Sequence, residues 1–306
     1  MDHRIRSNAL SVATFGGIAA LAMSLGGMQA ATGEPGATVE HVLWQPSMNV
    51  FRRFDVAPEK MYEFYGQVLG LEQLSTLNVG NGGGVARFQA GGSELKFTRR
   101  VPDRSYVQGG VAAATGVRLI TLFYADEAPL AARFREHGLA APAFKALPGS
   151  NRQVAVVQDP DGQPVELVVV PAATAEVLAQ IEVGVTVSDL EASRAFYRDF
   201  VGLTELAPVA DPVFDTTKYP FRHGSTTVNL RTFGALPADT GSGGIQYVVS
   251  NVDLVDALAK ERNIAIDQPL SGLAGFQLRT IWLDDADGIT NYFAETAASR
   301  AARKEN

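Results

Sequence analysis

Arg52 and Arg53 stand side by side in a strand-like run at 49–56. Successive strand residues face opposite sides, so one of the two guanidinium groups should face inward. Lys96 follows Leu95 and Arg231 follows Leu230, which reads as a matched pair of cations in two halves of the chain. An inward cation suits an anionic or oxygen-rich ligand, because charge-assisted hydrogen bonds are the strong ones. Tyr292, Tyr219 and Trp282 lie in strand-like runs and can stack on such a ligand or donate to it. Arg52, Lys96, Arg231 and Tyr292 are therefore the substrate-binding candidates. The competing assignment is a solvated outer face for the cations and core packing for the aromatics. Cysteine is absent, and His3, His41, His137 and His223 are scattered without metal-ligand spacing. The glycine-rich stretch 80–84 lacks the Lys-Ser/Thr of a phosphate loop and reads as a mobile lip between strands.

The elements that must position these residues occur twice. Phe64-Tyr65, followed by Leu69-Gly70-Leu71, returns 132 residues later as Phe196-Tyr197 and Val201-Gly202-Leu203. Asp159-Pro160-Asp161-Gly162 is echoed by Asp285-Ala286-Asp287-Gly288. One long period means a duplicated domain. In the first copy, Pro58 opens a helical run through Met61, Phe64, Tyr65 and Val68, and Gly70 closes it. Runs at 85–89, 93–98, 117–124, 153–157 and 165–170 have strand character, and 128–137 is helical. In the second copy, a strand at 181–187 enters the capping box Ser188-Asp189-Leu190-Glu191. A hairpin at 221–233, strands at 245–249, 277–282 and 289–293, and a helix at 254–261 complete it. The pattern is four βαβββ modules in an α+β chain.

A length of 306 residues suits two domains. Net charge is −7 and no basic run of five residues occurs, which argues against nucleic acid and anionic membrane surfaces as partners. Arg4 and Arg6 precede an uncharged apolar stretch, 8–29, that ends at Ala30-Ala31. This reads as a signal peptide over 1–30, with an uncleaved anchor as the competing assignment. It predicts a periplasmic or secreted protein that has no membrane contact after cleavage. A lead-in, 31–47, and a polar tail, 298–306, flank the repeats.

Together these motifs resemble the vicinal oxygen chelate superfamily: glyoxalase I, fosfomycin- and bleomycin-resistance proteins and extradiol dioxygenases. The residues that carry the resemblance are Val185-Thr186-Val187-Ser188-Asp189-Leu190-Glu191 leading to Phe196-Tyr197 and Val201-Gly202-Leu203. In the first copy they are Phe64-Tyr65, Leu69-Gly70-Leu71, and Asp159 to Gly162 running on to Glu166-Leu167. The resemblance implies two tandem glyoxalase/dioxygenase-like domains, 48–171 and 180–297, joined by a linker at 172–179. Each would curl two modules into a cupped mixed sheet.

The resemblance further implies a divalent metal (Fe, Mn, Zn or Ni) held by three side chains, usually two His and one Glu, and acting as a Lewis acid. The first ligand slot falls on Glu182 in the second copy and on Val50 or Phe51 in the first. The second falls in 116–120 and 242–246, where Gln246 is the one conceivable donor. The third falls on Glu166 and Tyr292. One carboxylate per domain does not hold a divalent ion, so no metal site is expected. Glu166 and Glu182, placed by this layout in different cavities, stay as catalytic candidates and weak metal-ligand candidates. Each would act as a metal-free general base whose pKa burial raises, or be an inherited strand residue satisfied by a nearby Arg. The expected function is that of an exported lyase, isomerase or dioxygenase acting on a small oxygenated molecule, as a monomer or homodimer. The alternative is a metal-free small-molecule binding protein of the bleomycin-resistance type.

Overall fold

The computed structural model describes residues 37–78, 84–273 and 275–303. The targeting segment and most of the glycine-rich lip lie outside them. The first module runs β1 (Asn49–Phe54), α1 (Pro58–Tyr62), β2 (Glu72–Asn78), β3 (Gly84–Ala90) and β4 (Ser93–Arg99). The second runs β5 (Gly116–Tyr124), α2 (Glu127–Glu136), β6 (Lys145–Ala146), β7 (Gln153–Gln158) and β8 (Pro164–Val169). One helical turn, α3 (Ala175–Leu178), crosses the linker. The third module holds β9 (Ile181–Thr186), α4 (Leu190–Arg194), β10 (Thr204–Glu205), β11 (Val209–Asp211), β12 (Thr216–His223) and β13 (Thr226–Arg231). The fourth holds β14 (Gly243–Val248), α5 (Val252–Glu261), β15 (Ala265–Leu273), β16 (Leu278–Asp284) and β17 (Thr290–Thr296), followed by α6 (Ala297–Ala302).

The α+β fold of four modules follows the repeat. Two edge strands, β2 and β15, have no clear signature in the sequence. Both are largely exposed and polar, so no apolar alternation marks them. Pro269 falls at a register shift in β15, where an edge strand tolerates a missing N–H. The helices after Pro58 and Asp189 continue as π-helices over Glu63–Val68 and Ala195–Phe200, where Phe-Tyr packs inward in both copies.

The sheets do not follow the tandem division. One sheet has the order β15-β16-β17-β14-β1-β4-β3-β2, and the other β10-β12-β13-β9-β5-β8-β7-β6 with β11 against β12. Module one is thus continuous with module four, and module two with module three, through the antiparallel pairs β1–β14 and β5–β9. The linker at 172–179 separates the repeats in sequence and leaves both sheets undivided. One hydrophobic core cluster spans both copies, from Val39 to Phe293.

The two echoed motifs bind consecutive modules together. Asp159 Oδ1 accepts from the N–H groups of Asp161 and Gln163, both at 3.0 Å, and Oδ2 accepts from the Tyr65 hydroxyl at 2.9 Å. Asp285 repeats this with Asp287, Ile289 and Tyr197. Arg52 Nη1 adds an ion pair to Asp159 at 3.1 Å, and its side chain is 1% exposed. Arg52 is therefore committed to this junction and does not line a ligand site.

Candidate functional site

The concave face of the eight-stranded sheet encloses a cavity of about 400 Å³, within the range of small-molecule sites. Phe51 and Arg53 reach it from β1, Lys96 and Thr98 from β4, Gln246 from β14, and Trp282 and Tyr292 from β16 and β17. Leu77 and Val85 of one hairpin and Leu273, Phe276 and Leu278 of another line its mouth. Trp282 meets Tyr292 edge-on at 5.1 Å and lies 6.4 Å from Phe51 between ring centroids.

Lys96 Nζ donates to Gln246 Oε1 at 2.5 Å and lies 3.5 Å from Glu94 Oε2. Glu94 is itself held by both ends of the Arg87 guanidinium, at 2.9 and 3.0 Å. Burial lowers the Lys96 pKa below the usual lysine value, and the Glu94 charge opposes that shift. Burial, and next the charge of Arg104, bring Arg53 down to about 10, so it stays cationic at neutral pH. Burial pushes the Tyr292 phenol up. Of the sequence candidates, then, Lys96 and Tyr292 meet in this cavity. Arg53 takes the place expected of Arg52.

Strand register aligns the two cups. In the first, Asn49 faces Gln246, which faces Tyr292. In the second, Glu182 faces Thr121, which faces Glu166. The counterpart of Glu182 is therefore Asn49, not Val50 or Phe51. Lys96, opposite Phe51, matches Asn229, opposite Gly184; Arg231, opposite Thr186, matches Thr98, opposite Arg53. Lys96 and Arg231 are thus not equivalents. Their displacement is two residues, which keeps a side chain on the same face, so alternation alone does not reveal it.

The second cup brings Glu166 and Glu182 together on either side of Thr121, not into separate cavities. The reason is the pairing of module two with module three. Thr121 Oγ1 donates to Glu166 Oε2 at 2.8 Å. Glu182 Oε2 accepts from Asn229 Nδ2 at 2.6 Å, with Lys218 Nζ at 3.7 Å. Burial raises the Glu166 pKa, and the Glu182 charge adds to the rise while Lys218 and Thr121 oppose it. Arg231 is buried in this cup, paired with Asp211 at 2.8 Å and covered by the Phe214 ring. The segment carrying β11 and Phe214 thus packs over the concave face, and Arg231 is occupied within the fold.

Neither cup suits a divalent metal of the family type. In the first, the amide oxygen that would serve as donor is taken by the Lys96 ammonium, and Asn49 Oδ1 accepts from the Glu94 N–H at 2.9 Å. In the second, two carboxylates face an ammonium and an amide N–H. Among the described residues, no group of three or more His, Asp or Glu is placed to hold a metal ion. His137 Nδ1 lies 2.8 Å from Glu63, and His223 Nε2 2.7 Å from the Gln45 carbonyl, and neither lines the first cup.

Residues 47–167 match the family model of the Glyoxalase/Bleomycin resistance protein/Dioxygenase superfamily. Residues 47–167 form a domain of this superfamily. Glyoxalase I from Zea mays is similar in structure, with a TM-score of 0.59 at 19% identity over 86% of this chain and 94% of that one. A candidate dioxygenase from Bacillus subtilis has a TM-score of 0.59 at 14% identity, over 85% and 87% of the two chains. At such identities the likeness is one of fold. No curated protein matches the sequence. The fold of these structures extends over both copies of the repeat.

Proposed function

We propose that the protein captures a small oxygenated organic molecule in the cup of the eight-stranded sheet. Lys96 and Gln246 meet the ligand oxygen, and Phe51, Trp282 and Tyr292 hold its apolar body. The observation that carries this reading is the Lys96–Gln246 pair, 2.5 Å apart, in an aromatic-walled cavity of about 400 Å³. A few convergent polar groups in an apolar cleft give orientation, and the walls give area. A desolvated ammonium gains a strong bond from any ligand oxygen that reaches it.

A second reading is turnover as a lyase or isomerase. The lowered pKa of Lys96 favours it, since a less basic amine is better suited to moving a proton near neutral pH. For capture, thermal-shift screening against aromatic diols, 2-oxoaldehydes and antibiotics supplies a hit, and calorimetry follows on Lys96→Met and Gln246→Leu. Weakening of about tenfold or more in both variants supports the reading. A hit indifferent to both puts the ligand elsewhere. NMR of the hit after incubation separates turnover from capture.

We also propose that the chain is exported to the periplasm or secreted. Arg4, Arg6, the apolar run 8–29 and Ala30-Ala31 support this. A cell-made protein that still begins at Met1 would count against it.

A further inference from the structure

Building on that reading of the cup, we infer that its ligand is a planar aromatic carboxylate whose carboxylate group bridges Arg53 and Lys96. The charge of the lining carries the inference. Arg53 and Lys96 both line the cavity and no carboxylate side chain does, in a chain whose net charge is −7. Arg53 stands opposite Thr98 and Lys96 opposite Phe51, so the two cations are diagonal neighbours on one face of adjoining strands. Two long side chains in that relation reach a common pair of oxygens.

Arg53 is nearly all buried, yet one hydrogen bond is formed by its guanidinium among the described residues, from Nη1 to the Gly241 carbonyl at 3.3 Å. Its carbon lies 5.3 Å from the Phe51 ring centroid, which holds the flat group against the wall while leaving further N–H groups to donate. Lys96 donates to Gln246 and lies 3.5 Å from Glu94, which leaves one further donor for a ligand. Beyond the cations the wall is aromatic. Phe51 and Trp282 are tilted 39° to each other, and Tyr292 closes the corner edge-on to Trp282. A planar ring laid on that wall directs its carboxylate toward the cations. A neutral diol would offer Arg53 and Lys96 no charged partner inside the cavity, where no carboxylate lines the wall.

The test uses the full-length protein, calorimetry and three probes of one size: 2-naphthoate, 2-naphthamide and 2,3-dihydroxynaphthalene. The expected result is that naphthoate binds about tenfold or more tightly than the other two and weakens as salt rises. Arg53→Gln and Lys96→Gln should each remove that preference, while Arg53→Lys and Lys96→Arg retain part of it. Melting curves of each variant confirm that it is folded. If naphthamide or the diol binds as well as naphthoate, and Lys96→Met weakens it, the anion inference fails and the small-molecule reading of the cup stands. If naphthoate binds but is indifferent to all four substitutions, the inference also fails. If none of the three binds and the wider screen yields no ligand sensitive to Lys96, both fail together.

Discussion

Lys96 Nζ occupies the oxygen of Gln246, which a metal in the first cup would need, and Lys218 and Asn229 do the same to Glu182 in the second. Metal analysis of purified protein should therefore return substoichiometric Fe, Mn, Zn and Ni. A full equivalent lost on Glu182→Ala or Glu166→Ala would overturn that expectation. A second residue-scale prediction concerns pH. Burial raises Asp284 from 3.8 to about 6, and the charge of Asp267 adds to the rise. Burial raises Asp285 to about 7. A carboxyl whose folded pKa is raised holds its proton more tightly when folded. Its contribution to stability is full below 3.8 and is lost as pH climbs through 6 to 7. Asp284→Asn should accordingly have a higher denaturation midpoint than the wild type at pH 8, with the gap narrowing toward pH 4. Lys96 and Tyr292 were legible as cavity-lining candidates because they are polar or amphipathic groups at inward strand positions. Arg53 was legible only as one of a pair, since choosing between adjacent strand residues requires the register.

At the scale of elements, helix ends and turns were read well because their chemistry is local. Gly70 and Gly202 follow the helices of modules one and three with φ of 76° and 88°, where a side chain is strained. A Cβ at Gly202 would also lie 2.6 Å from Glu40 Cβ, whereas at Gly138, with φ of 70°, nothing lies within 4 Å. Gly202→Ala should cost about 2–4 kcal/mol of unfolding free energy and Gly138→Ala about 1–2 kcal/mol. Equal losses in urea titrations would show that the contact with the lead-in segment adds nothing to backbone strain. The edge strands β2 and β15 escaped notice for the opposite reason. Their partners lie on one side only, so their composition stays polar and carries little periodicity.

At the scale of the molecule, the sheets cross the repeat. A fragment of residues 37–171 would keep β1 and β5 but lose β14 and β9, which pair with them. Each half would then expose two central, largely buried strand edges. Size-exclusion chromatography of that fragment should show aggregates or dimers. A stable monomer with native-like circular dichroism would refute the shared-sheet account.

By itself the sequence determined the four modules, the α+β class, the Phe64-Tyr65 and Phe196-Tyr197 helices and the Asp159 and Asp285 turns, because helix periodicity, caps and turn chemistry act within a few residues. The tertiary structure decided which modules share a sheet. That placed Glu166 beside Glu182 rather than apart from it, sent Arg52 to Asp159 and Arg231 to Asp211, and left Arg53 and Lys96 facing the open cavity. Strand pairing joins residues nearly 200 positions apart, as Asn49 and Gln246 show, and a two-residue register shift leaves every side chain on its face. No pattern within either copy could distinguish those pairings.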